Sequence, residues 1–147
     1  MAGPCTVDAS VFLNAFNPAE PGHSVSNRLL SRMQSLATPM IVPTLVLPEI
    51  AATIRRVQGN IRLAYAFATK LENLSHLTLI SLDLAVARQA AKMASQHRLC
   101  GSDAVYAAVA LRYGATLITL DREQHDRLAP VVSSRYPAEM MEELQEG

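Results

Sequence analysis

The chain reads as one three-layer α/β domain built on a small, mostly parallel sheet. Three observations predict this. Short apolar or β-branched runs alternate with longer segments of helical periodicity, which is the pattern of strands joined by helical crossovers. Half of the 147 residues are hydrophobic, enough for one buried core. No internal repeat or low-complexity stretch divides the chain, so residues 1–147 are expected to form a single domain.

Cys5–Val7 is a short apolar strand that ends at Asp8. Ala9–Phe16 follows as a short helix for which Ser10 is a candidate cap, and Asn17–Gly22 is a turn-rich loop with two prolines and a glycine. Ser24–Leu36 carries Val25, Leu29, Met33 and Leu36 at helical spacing. Met40–Val42 is a second buried strand, and Thr44–Val57 a helix in which Pro48 must fall within the first turn. Ile61–Leu74 repeats the helical pattern, while His76–Leu82 reads as a strand or an extended connection. Asp83–His97 is alanine-rich and helical, opening on a carboxylate that suits the helix dipole. Ser102 is expected to cap a strong helix over Ala104–Tyr113, Gly114 to stop it, and Thr116–Thr119 to form a buried strand. A short helix through Leu128, an apolar Val131-Val132 and an acidic tail over Pro137–Gln145 complete the chain.

Composition excludes several classes. The formal net charge is +0, so no global basic field draws nucleic acid, and contact with it would need a local patch or bound cations. Cys5 and Cys100 are isolated, and the histidines show neither HxxxH nor HExxH spacing, which argues against a zinc site. There is no Gly-rich phosphate loop, and the first strand is followed by Asp-x-Ser rather than the Asp-x-Asp of a haloacid-dehalogenase-type phosphotransferase. No signal-peptide pattern and no membrane-length apolar run occur, so a cytoplasmic, reduced protein without membrane contact is expected.

The chemistry is carried by acids. Asp8 directly follows the first strand and Asp121 follows Thr116–Thr119, so in a parallel sheet both lie at the C-terminal edge, where open α/β sheets bind ligands. A helix feeding a parallel strand runs antiparallel to it, which brings Asp103, in the first turn, to that same edge. Glu49 joins them if its helix turns its inner face toward the site. Two unit charges ~4 Å apart repel by about 4 kcal/mol at an effective dielectric near 20. Such a cluster is compatible with bound cations, and an all-oxygen donor set suits Mg²⁺ or Mn²⁺, two of which can drive phosphodiester hydrolysis. Each acid also has a plain structural reading. Asp103 complements a helix dipole, Asp121 and Asp8 suit N-caps, and Glu49 stands in an apolar run where an uncompensated charge is costly. Spacing alone does not choose between these readings.

Three blocks in series, VDASVFLNAF, VLPEIAATIRR and SDAVYAAVALRYGATLITLD, resemble the PIN-domain family, and most closely the VapC-type toxin ribonucleases of toxin–antitoxin pairs. They span the chain from its first strand to Asp121. The resemblance implies a PIN-like three-layer α/β/α domain and a Mg²⁺- or Mn²⁺-dependent endoribonuclease. Asp8, Glu49, Asp103 and Asp121 fall on the family's acidic positions, and Ser10 and Thr119 on its supporting polar ones. It also implies an RNA substrate, a cognate antitoxin protein and a homodimer, for which the apolar faces of Ser24–Leu36 and Thr44–Leu74 offer surfaces. Arg55, Arg56 and Arg62 are candidate RNA phosphate contacts, with solvated surface as the plain alternative. The segment REQHDRL after Asp121 departs from the family, with His125 near where many relatives carry phenylalanine, and leaves Glu123 and Asp126 open as sharers of the fourth acidic role. That departure motivates the alternative of a PIN-like regulatory binding protein with weak or no turnover.

Overall fold

The computed structural model describes residues 3–146. The strands are β1 (Cys5–Val7), β2 (Met40–Pro43), β3 (Leu77–Ile80), β4 (Thr116–Ile118) and β5 (Ser134–Arg135). They form one sheet in the order β3-β2-β1-β4-β5, and every pairing is parallel. The α/β expectation therefore holds, with a sheet that is entirely rather than mostly parallel. Of the two readings of His76–Leu82, the strand is the one formed. β5 is the element the sequence did not announce. Two polar residues carry no periodicity, and they become a strand only because β4 offers them a ladder.

The helices are α1 (Ala9–Phe16), α2 (His23–Ser35), α3 (Val46–Gln58), α4 (Ile61–Glu72), α5 (Leu84–His97), α6 (Gly101–Arg112), α7 (Arg122–Leu128) and α8 (Pro137–Glu146). α6 packs against β1, β2 and β4 and is buried without a break from Ala104 to Ala110. Four alanines in that run let the helix backbone approach the sheet closely. A helix apolar all round belongs in the interior. α5 lies against α6, while α1 packs on α2 and α3, and α3 on α4. Met140 and Leu144 of α8 are buried, and α8 rests on α2. Phe12, Leu29, Met33, Ile50, Ile54, Leu117 and Ile118 belong to one continuous hydrophobic core. Among the described residues no helix is long and apolar enough to cross a membrane.

Two caps differ from expectation. Ser102 does not cap α6: it lies inside the helix, which begins at Gly101 after Cys100, whose side chain makes no capping bond. Ser10 does not cap α1 either. Asp8 takes that place, its Oδ2 accepting the Ser10 amide at 3.1 Å. The Ser10 hydroxyl instead accepts from the Leu120 amide at 3.2 Å, tying α1 to the end of β4. Pro48 falls in the first turn of α3, where a missing N–H leaves no helical bond unmade. Gly114, at φ +60°, ends α6 in a left-handed conformation that L side chains rarely adopt.

Leu117 is fully buried in β4, between β1 and β5. Leu117→Ala is expected to lower unfolding free energy by about 2–5 kcal/mol in urea denaturation, through lost burial and the cavity left behind. A cost below ~1 kcal/mol would contradict the tight packing of the sheet.

Candidate metal centre

Parallel pairing brings the sequence-distant acids to one edge. Val7 lies opposite Ile118, and the Asp8 amide donates to the Ile118 carbonyl at 2.9 Å. Asp8 and Thr119 are thus the first residues beyond two adjacent strands that end together. β2 ends at the same edge, and α3 follows after a short turn, with Glu49 in its first turn. α6 starts there too, carrying Asp103 in its own first turn. Asp121 is the N-cap of α7, just past β4.

Asp8 is the most enclosed of the four, with only 7% of its surface exposed. Burial pushes its proton affinity up, the Ser10 hydrogen bonds pull it down, and the charges of Asp103 and Asp121 push it up again. Glu49 is half-buried. Desolvation raises its pKa first, the Tyr106 hydroxyl opposes that by donating to its Oε1 at 2.8 Å, and Asp8 and Asp103 raise it further. Asp103 is raised by burial, lowered by a hydrogen bond from Cys100, and raised by Asp121 and Glu123. These mutual repulsions mean the acids share one field. Among the described residues none of the four pairs with a basic side chain.

Metal binding can be tested against this arrangement. Among the described residues, no three His, Cys, Asp or Glu side chains converge closely enough to grip a cation as they stand. The donor set itself fits a hard divalent ion, being all oxygen, partly desolvated and without a protein counter-charge. Asp8, Glu49 and Asp103 are the residues that would close on it. Asp121 is exposed, and its Oδ1 accepts the Gln124 amide at 3.0 Å, so its capping reading is realised in the fold.

The remaining candidates divide. Thr119 is fully buried, and its hydroxyl lies 3.4 Å from Asp8 Oδ2. Glu123 pairs with Arg127 at 3.5 Å, and Asp126 with His125 at 3.1 Å. His125 stacks on Tyr136, ring centroids 4.1 Å apart, and its Nε2 lies 3.7 Å from Glu139. α7 turns inward Leu128 and, beside His125, the polar Gln124. Arg55 and Arg56 are exposed in the last turn of α3, and Arg62 is exposed at the start of α4. The arginines of α3 stand ~9 Å or more along the helix from Glu49, at 1.5 Å per residue.

Two residues of the centre escaped the sequence reading. Tyr106 is fully buried, and burial followed by the Glu49 charge pushes its hydroxyl pKa well up, so it stays a donor. Its place one turn after Asp103, in a run otherwise of alanine and valine over Ala104–Ala110, was the available signal, because a buried tyrosine hydroxyl needs a partner. Gln124 stands three residues after Asp121, the spacing of a capping pair, but nothing in the sequence says that it is buried.

Raised carboxyl pKa values carry a sign for stability. Each such group binds its proton more tightly folded than unfolded, so its contribution is complete below the unfolded value and lost as pH rises through the folded one. For Asp8 the window opens at the ordinary aspartate value of 3.8 and extends upward. In EDTA, Asp8→Asn, which keeps a capping oxygen, is expected to raise stability above that of the native chain at pH 7. The gain should shrink as pH falls toward 4, read by urea denaturation across pH. A variant destabilised equally at every pH would contradict the repulsion.

The PIN domain profile matches residues 5–129. The fold is similar to that of Mycobacterium tuberculosis VapC20, described as a toxin that cleaves the sarcin–ricin loop (20% identity, TM-score 0.74, covering 89% of this chain and 98% of that one). It is also similar to PAE2754 of Pyrobaculum aerophilum (18% identity, TM-score 0.72, covering 99% and 91%). A third is FitAcB of Neisseria gonorrhoeae (17% identity, TM-score 0.69, covering 91% and 98%). A comparison with curated protein sequences finds no significant match. With the profile covering most of the chain and the fold agreeing with it, the chain belongs to the PIN domain family.

Proposed function

We propose that this protein is a Mg²⁺- or Mn²⁺-dependent endoribonuclease and the toxin of a toxin–antitoxin pair, acting in the cytoplasm as a single domain. One observation carries the reading: Asp8, Glu49 and Asp103 are desolvated at one sheet edge, repel one another and have no basic partner among the described residues. A family of nucleases and a fold like that of VapC20 support it.

Asp8, Glu49 and Asp103 would hold a divalent cation, with the exposed Asp121 as the fourth acid of the set. A bound divalent ion supplies Lewis acidity, lowering the pKa of water and neutralising charge that builds on the phosphate. The Ser10 amide fixes Asp8, Thr119 stands beside it with its oxygen 3.4 Å away, and Tyr106 bonds Glu49. Arg55, Arg56 and Arg62 hold RNA phosphate along the exposed end of α3 and the start of α4.

An antitoxin and a second copy of the chain are the proposed partners. Support comes from complexes of similar fold, including VapBC2 from Rickettsia felis bound to promoter DNA. Val57, Ile61 and Tyr65, exposed by 60%, 70% and 74%, form part of the apolar surface open to them on α3 and α4. A second reading, a PIN-like regulatory protein that does not turn over, draws on Asp121 being engaged as a helix cap.

The purified protein is expected to cleave RNA with Mg²⁺ or Mn²⁺ and to stop in EDTA. Asp8→Asn and Asp103→Asn should each lose more than ~100-fold, since even outer-shell partners of a metal commonly cost 10–100-fold. Cleavage that survives EDTA would falsify the metal mechanism. Tight partner binding with no cleavage and no Mn²⁺ uptake by calorimetry would favour the regulatory reading.

A further inference from the structure

Gln124 is 0% exposed, a polar side chain buried against the candidate centre. Its Oε1 accepts the Thr119 hydroxyl at 2.6 Å, and its Nε2 lies 3.5 Å from the Asp103 carbonyl oxygen, to which it donates. The opposite amide orientation would set Oε1 against that carbonyl, acceptor to acceptor, so the geometry fixes the amide as described. The Thr119 oxygen also accepts the Asp121 amide at 3.0 Å.

Thr119 has one hydroxyl proton and two candidate acceptors, Gln124 Oε1 at 2.6 Å and Asp8 Oδ2 at 3.4 Å. Distance assigns the proton to Gln124. Asp8 then keeps Ser10 as its close donor, with the amide at 3.1 Å from Oδ2, and the Thr119 proton does not occupy Oδ2. Without the amide oxygen, the hydroxyl would rotate and give its proton to Asp8, filling a position that a cation needs. Through Asp103 and Thr119 the same side chain also spans from α6 to β4.

We propose that Gln124 is a positioning residue of the centre: by taking the Thr119 hydroxyl proton, it keeps Asp8 Oδ2 free for a cation. This rests on the metal-dependent reading above. The role proposed for Gln124 runs through Thr119 to Asp8.

The test is a double-mutant cycle on the full chain. Gln124→Met preserves length and apolar volume while removing the acceptor, and Thr119→Val removes the proton. Mn²⁺ affinity by calorimetry is expected to fall about tenfold in Q124M, the scale of an outer-shell partner. In a T119V background, Q124M should change affinity by less than ~2-fold, because the proton it redirects is gone. In metal-free protein at fixed pH, the Asp8 carboxylate ¹³C resonance should move in Q124M relative to the native chain, but not in Q124M/T119V relative to T119V. Unchanged affinity in Q124M, or an equal loss with and without the Thr119 hydroxyl, would overturn the proposal. Should the native chain take up no Mn²⁺, the metal reading fails, and the Asp8 resonance still decides whether Gln124 diverts the proton. Gln124→Leu repeats the comparison if the methionine variant does not fold.

Discussion

The parallel pairing of β1 with β4 is the constraint on which the rest of the molecule depends. Val7 faces Ile118, and the Asp8 amide bonds the Ile118 carbonyl, so the two strands stop together. Strands that run the same way end at the same edge, and the residues that follow them, Asp8 and Thr119, meet there. α1 begins at once after Asp8, which gives that carboxylate two duties. It caps a helix through Ser10, and it stands at the centre of an acidic cluster. The Ser10 hydroxyl closes the arrangement by binding the Leu120 amide beyond β4.

Around that pairing the chain assembles a region that works against its own stability. Three partly desolvated carboxylates repel one another with no basic side chain to offset them among the described residues. The positive end of α6 relieves Asp103, and the Tyr106 hydroxyl relieves Glu49, but neither cancels the repulsion. Such a cost is tolerable because it is confined to one edge. The sheet beneath is buried in its central strands, and α6 packs as an apolar rod against three of them. The acid-bearing edge and the apolar core are in this way joined through a few strand ends.

Much of this was legible in the residues. Cys5–Val7 and the segment before Gly114 announced themselves as strand and helix through β-branched or alanine-rich runs, and the alternation of strand and helix implied a parallel sheet. Local capping was less legible, because any Ser or Asp near a helix start qualifies. Ser102 and Ser10 looked like caps, yet Cys100 occupies one capping position and Asp8 the other. β5 left no trace, since two residues paired to β4 have no pattern of their own.

Asp8, Asp103 and Asp121 could be assigned to one edge by reasoning on chain direction alone, since the handedness and polarity of helix and strand are properties of the local sequence. That is what the sequence by itself determined: the class of fold, the parallel sheet and the edge on which its acids gather. Only the tertiary structure decided which side chains complete the set. Glu49 turns inward because α3 leaves β2 almost at once, and Tyr106 reaches it because α6 crosses the same sheet. Gln124 became part of the centre because α7 folds back over β4 and buries it, whereas His125 beside it faces Tyr136. These outcomes depend on contacts between segments far apart in the chain. Such contacts are settled by packing, which no local pattern records.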